Sequence, residues 1–94
     1  MKHARLYVDF NEMLEEDLVL LSKDDRKIDS SGVIHRLCEG ITVEIYMDDF
    51  TDDGIADNLI ATGVVELVQG RGWAPSTKWA CRIDARGIRS ESDE

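Results

Sequence analysis

Apolar and polar positions alternate with period two along most of this chain, and that period predicts strands. Leu6, Val8 and Phe10 alternate with Arg5, Tyr7 and Asp9 in a first segment. Ile41, Val43, Ile45 and Met47 alternate with Thr42, Glu44, Tyr46 and Asp48, the clearest such run. A longer segment sets Leu59, Ala61, Gly63, Val65 and Leu67 on one face and Ile60, Thr62, Val64, Glu66 and Val68 on the other. Trp79, Cys81 and Ile83 alternate with Lys78, Ala80 and Arg82 in a last strand, and residues 33–37 form a shorter candidate. Residues 10–21 change rhythm. Phe10, Met13, Leu14, Leu18 and Leu21 fit helical spacing, and Asp9 with Glu12 resembles a capping box. The pattern therefore predicts a short helix over about residues 11–16, then a strand through Leu18-Val19-Leu20-Leu21. Residues 22–32 read as a polar loop, and residues 70–75 as a loop punctuated by two glycines and a proline.

Five or six short strands with turn signals between them predict a mainly β domain, a small antiparallel barrel with at most one short helix. Closure removes the edges that a small sheet would expose. Ala61, Gly63 and Ala80 suit close bends in such a barrel. The outline is similar to small SH3-like barrels, a likeness of shape that does not by itself carry function. The expected core includes Ile45, Val65, Trp79 and Ile83. One domain is expected over residues 1–89, with residues 90–94 as a frayed acidic tail.

Composition narrows the function classes. The chain has 94 residues, 43% of them hydrophobic and 33% charged, the balance of a folded soluble domain. It holds no apolar run of membrane-spanning length and no basic-then-apolar leader, so a cytoplasmic location is expected. Two cysteines, Cys38 and Cys81, are too few for a disulfide scaffold and are expected as free core thiols. The net charge is −9, carried mostly by residues 1–70, with sixteen acids against six bases. Such a body repels phosphate, which disfavours nucleic acid and anionic membranes and favours encounter with a basic protein. A plainer reading is that the bases of residues 71–89 neutralise neighbouring acidic strands.

The densest chemistry is the segment 48–58, where Asp48, Asp49, Asp52, Asp53 and Asp57 surround Gly54. As a loop between two alternating segments it is an acidic surface for a basic partner. Arg71 and Trp73 add an aromatic–arginine pair of the type that anchors interfaces. Residues 49–60 also resemble the aspartate-rich calcium loops of thrombospondin type 3-like repeats and, more loosely, EF-hand loops. That resemblance implies Asp49, Asp53 and Asp57 as carboxylate ligands, the Ile55 carbonyl as another, and Thr51 at a position where the pattern has Asp or Asn. Ile60 stands where an acidic residue closes the calcium shell, so calcium is the alternative reading and a weak one.

Catalysis is not expected. His3, His35, Cys38 and Cys81 supply four zinc-ligand types, but His35 and Cys38 point to opposite faces of a strand. Nothing places a base beside either thiol. The paired carboxylates are too numerous for one pair to be singled out as acid and base. The residues point to a non-enzymatic acidic interaction module, of the inhibitor or immunity type, for a basic protein.

Overall fold

The computed structural model describes residues 4–68 and 77–93. Nine strands follow in chain order: β1 (Leu6–Tyr7), β2 (Met13–Glu15), β3 (Leu18–Ser22), β4 (Arg26–Ile28), β5 (Ile34–Arg36), β6 (Thr42–Met47), β7 (Leu59–Leu67), β8 (Trp79–Ile83) and β9 (Arg89–Ser90). The main sheet runs β1-β6-β7-β8-β3-β2, with β9 on the free half of β7, and β4-β5 form a separate ribbon. The fold is mainly β, a sheet curled into a half-barrel, with a single 3-10 turn at Glu91–Asp93 among the described residues.

Chain connectivity explains the curl. β1 and β2 lie at opposite ends of the sheet path, yet only residues 8–12 join them. From Tyr7 to Met13 the chain reaches at most about 21 Å fully extended. A flat six-strand ladder at roughly 4.8 Å per step would separate its edges by about 24 Å. The Asp9–Glu12 turn shortens the reach further, with the Glu12 N–H donating to the Asp9 carbonyl at 2.9 Å. The sheet must therefore roll, and Val8 and Phe10 fill the seam as part of the main core. Ile45, Val65, Trp79 and Ile83 lie in that core as expected, with Val19, Leu21, Ala61 and Cys81. A smaller cluster of Leu18, Val68 and Ala80 covers the other side.

The register of β6 with β7 follows the alternation: Val43 faces Gly63, Ile45 faces Ala61 and Met47 faces Leu59. Gly63 pairs with Val43 of β6 and Ile83 of β8 and lies close against β8. A Cβ there would stand 2.5 Å from Cys81 Sγ and closer still to the Arg82 carbonyl oxygen. It marks a close approach of backbones rather than a corner.

Four expectations change. The short helix over 11–16 is a turn and strand β2. The Asp9 carboxylate accepts from the Asn11 N–H at 2.9 Å, starting a turn in place of a cap. Met13 then packs on the main core while Leu14 packs on the second cluster, opposite faces that only a strand allows. The barrel is not all antiparallel, because β1 pairs β6 in parallel (Leu6 with Ile45, Tyr7 with Tyr46). Alternation reports a strand's faces and not its direction. The polar loop 22–32 contains β4, whose Arg26-Lys27-Ile28 shows too little apolar periodicity to register as a strand. Finally, the C-terminal residues dock on the sheet instead of fraying. Leu59 pairs Ser90, the Glu91 N–H donates to the Asn58 carbonyl at 2.7 Å, and Glu91 bridges Arg5 at 3.0 Å.

No helix among the described residues is long and apolar enough to cross a membrane.

Candidate interaction site on the extended hairpin

The β6–β7 hairpin does not stop where its strands end. The Asp57 N–H donates to the Asp49 carbonyl, Phe50 bridges Ala56, and the Thr51 N–H donates to the Ile55 carbonyl, each continuing the same register. The turn itself is set by sequence. The Gly54 N–H returns to the Thr51 carbonyl at 2.9 Å and Gly54 takes φ 79°. This is a type I turn closed by a left-handed glycine, the usual three-residue hairpin loop. Asp52 and Asp53 occupy its central positions. The same turn closes β4–β5, where Gly32 at φ 92° donates to the Asp29 carbonyl.

Support from other strands ends at the arm's base. β1 covers β6 through Tyr46, where the Val8 N–H meets the Tyr46 carbonyl, and β9 covers β7 at Leu59 and Ile60. The Asp57 carboxylate is tied down by the Ser92 N–H at 3.0 Å and Ser92 Oγ at 2.9 Å. Beyond that clamp every residue from Asp48 to Ala56 is exposed. Phe50 and Ile55 are each 65% exposed amid the acids. Asp48, Asp49, Asp52 and Asp53 form no ion pair among the described residues.

Several acids elsewhere are paired with bases of residues 78–86. Arg82 takes Glu66 in a two-point fork (2.9 and 3.1 Å) and also meets Asp17 at 2.7 Å and Glu15 at 3.2 Å. Glu66 first, then Glu15 and Asp17, hold its guanidinium charge well above the ordinary range. Lys78 meets Asp25 at 2.7 Å, and Lys78 then Trp79 hold that carboxyl below its usual range. On the arm, four acids without an ion pair among the described residues stand close together.

The calcium ligand set is not assembled. The Ile55 carbonyl and the Thr51 hydroxyl face each other's backbone N–H groups, and Asp57 is engaged by Ser92. Among the described residues no group of three or more His, Cys, Asp or Glu side chains is arranged to hold a metal ion. His35 pairs with Asp29 rather than with a thiol, and Cys81 lies in the core. Burial first, then Glu66 and Asp84, push the Cys81 thiol up to about 12, which leaves it inert. Cys38, expected in the core, is exposed, because residues 38–40 follow β5 as a loop. Arg71 and Trp73, expected as an anchoring pair, and His3 lie outside the described residues.

Sequence reasoning placed β5 within its candidate strand 33–37 but missed β4, and with it the ribbon that the two form. Arg26 faces Arg36, Lys27 faces His35 and Ile28 faces Ile34. Its outer face, Arg26, Ile28, Ile34 and Arg36, is wholly exposed, with Ile28 at 60% and Ile34 at 64%. Its inner face carries buried Asp29, whose Oδ1 accepts from the Ser31 N–H (2.8 Å), Ser31 Oγ (2.6 Å) and the Val33 N–H (3.0 Å). Asp29 Oδ2 meets His35 Nε2 at 2.6 Å. Between the Ser30-Ser31 turn and the arm's base at Tyr46, Asp48 and Asn58 lies a cleft of about 360 Å³.

The hydrogen bonds of Ser31, then His35, hold the Asp29 carboxyl far below its usual range. A carboxyl depressed on folding stabilises the fold above its unfolded pKa of about 4, and that contribution is lost as pH falls below it. Asp29→Asn is expected to lower the melting temperature by several degrees at neutral pH. The difference from wild type should shrink on acidification. Melts across the acid range check this, and a difference that grows with acid contradicts it.

No family model, curated protein or solved structure matches the chain.

Proposed function

We propose that the chain is a non-enzymatic interaction module that docks a basic protein on its acidic hairpin arm, in the manner of small acidic inhibitors and immunity proteins. One observation carries this reading: two large apolar side chains, Phe50 and Ile55, one on each face of the hairpin arm, stand in solvent among four unpaired aspartates. An apolar anchor inside a charged rim is the energetic layout of a binding site, with the anchor setting residence and the rim setting encounter. Constant register and the Ser92 clamp hold the arm's shape before binding, which lowers the ordering cost. Acid of this density favours lysine and arginine side chains and opposes nucleic acid and anionic lipid.

The two parts of the layout separate kinetically. A basic protein captured on immobilised wild-type chain is purified, and its rates are measured against two variants. Replacing Asp48, Asp49, Asp52 and Asp53 with Asn is expected to slow association by about tenfold or more at low salt, with little change in dissociation. Phe50→Ser is expected to speed dissociation, also by about tenfold or more. A captured protein whose rates are indifferent to both variants places its contact elsewhere and overturns the reading.

A further inference from the structure

We propose that the chain pairs with a second copy of itself, the acidic arm of each protomer lying on the outer face of the partner's β4–β5 ribbon. The inference rests on the reading of the arm as a docking element and goes beyond it: the occupant is a local basic patch, the β4–β5 ribbon, on a second copy of a chain whose net charge is −9. The two surfaces complement each other in charge and in apolar character. One face of the arm presents Phe50 beside Asp48, and the ribbon presents Ile28 and Ile34 side by side between Arg26 and Arg36. Like charges directly opposite each other weaken a two-stranded ribbon. Arg26 and Arg36 stand so, and neither makes an ion pair among the described residues. An anionic surface laid across that face relieves the repulsion and covers the isoleucines together.

Neither surface is satisfied within its own chain, since all three apolar side chains remain at least 60% exposed. Both flank the same cleft, with Ser30 and Ser31 of the ribbon's turn on one wall and Asp48 and Asn58 of the arm on the other. A twofold arrangement would make both arm-to-ribbon contacts at once. The assembly then closes at two chains, with both arms and both ribbons engaged.

Sedimentation equilibrium of the full chain tests this with a charge exchange. Wild type is expected to show a monomer–dimer equilibrium that weakens as salt rises. Asp48→Lys with Asp52→Lys, and separately Arg26→Glu with Arg36→Glu, should each weaken pairing at least tenfold. An equimolar mixture of the two variants should restore it, because each reversed arm then meets a reversed ribbon. Ile28→Ser with Ile34→Ser should weaken pairing without changing charge. All these positions are exposed, and circular dichroism confirms that each variant keeps the fold. A wild type that stays monomeric, a patch variant that still pairs, growth beyond two chains, or a mixture that stays monomeric overturns the proposal. Capture of a basic protein that the Phe50→Ser variant loses, by a monomeric wild type, overturns pairing alone. Dimerisation together with capture indifferent to the arm overturns the functional reading alone.

Discussion

Gly63→Val is expected to abolish folding, and Gly63→Ala to destabilise the chain by at least about 3 kcal/mol, the upper end for overfilled interiors. The atoms in the way decide the magnitude. One is the Arg82 carbonyl, a backbone group that moves only with β8. Another is Cys81 Sγ, fixed in the fully buried core between Val19 and Val65. β8 cannot retreat, because it is the only strand joining β7 to β3 in the sheet path among the described residues. Folded domains keep only about 5–15 kcal/mol in hand, so a branched side chain at this point exceeds what most can lose. Chemical denaturation of Gly63→Ala, and the circular dichroism of Gly63→Val at low temperature, check both expectations. A Gly63→Val chain that melts near wild type would mean that β7 and β8 pack less closely than the structure has them.

The strands that alternate cleanly were legible because each turns every second residue to the main core: β6, β7 and β8 lie where period two placed them. What alternation cannot encode is direction, hence the parallel β1–β6 pair, and it is silent where both faces are polar. β4 is such a case. Arg26 is on the outer face and Lys27 on the inner one, so its only apolar residue is Ile28, and that side chain points to solvent. Residues 11–16 misled for the opposite reason. Met13 and Leu14 serve two different clusters, and adjacent apolar residues that straddle a strand imitate a helical stripe. The tail looked frayed because its anchors are long-range: Asp57 for Ser92 and Arg5 for Glu91. No local pattern announces them.

The candidate site was half legible. The aspartates and Gly54 of the arm identified an acidic turn, and the type I geometry explains why those residue types stand there. In the same geometry the Thr51 hydroxyl and the Ile55 carbonyl, two of the ligands that the calcium resemblance implies, accept hydrogen bonds from each other's backbone N–H groups. A clearer signal was Phe50, a large apolar residue inside an acidic run, where solvation alone would select polar side chains. The basic ribbon was not visible until pairing brought Arg26 to Arg36 across a turn. Charge balance by sequence window hid it, because residues 1–70 sum to strongly acidic while the structure sets two of their six bases, Arg26 and Arg36, side by side on one face.

Ile45→Ala is expected to cost about 2–5 kcal/mol, the range for emptying a fully buried branched site. Ile45 has no exposed surface and stands between Leu6 on β1 and Ala61 on β7. Alanine on one side leaves nothing large enough to move into the void, which places the loss toward the upper half of that range. Leu6 belongs to a two-residue strand paired with β6 and otherwise bridged to Asp29, so the cavity also loosens the edge that Arg5 and Glu91 clamp. Val64→Ala serves as the control, since Val64 is on the opposite face of β7 and 39% exposed, and its loss should stay below about 1 kcal/mol. Urea titrations compared at equal slope give both values, because an unchanged slope means an unchanged area exposed on unfolding. Equal losses at the two positions would contradict the register, since a slip of one residue exchanges the faces.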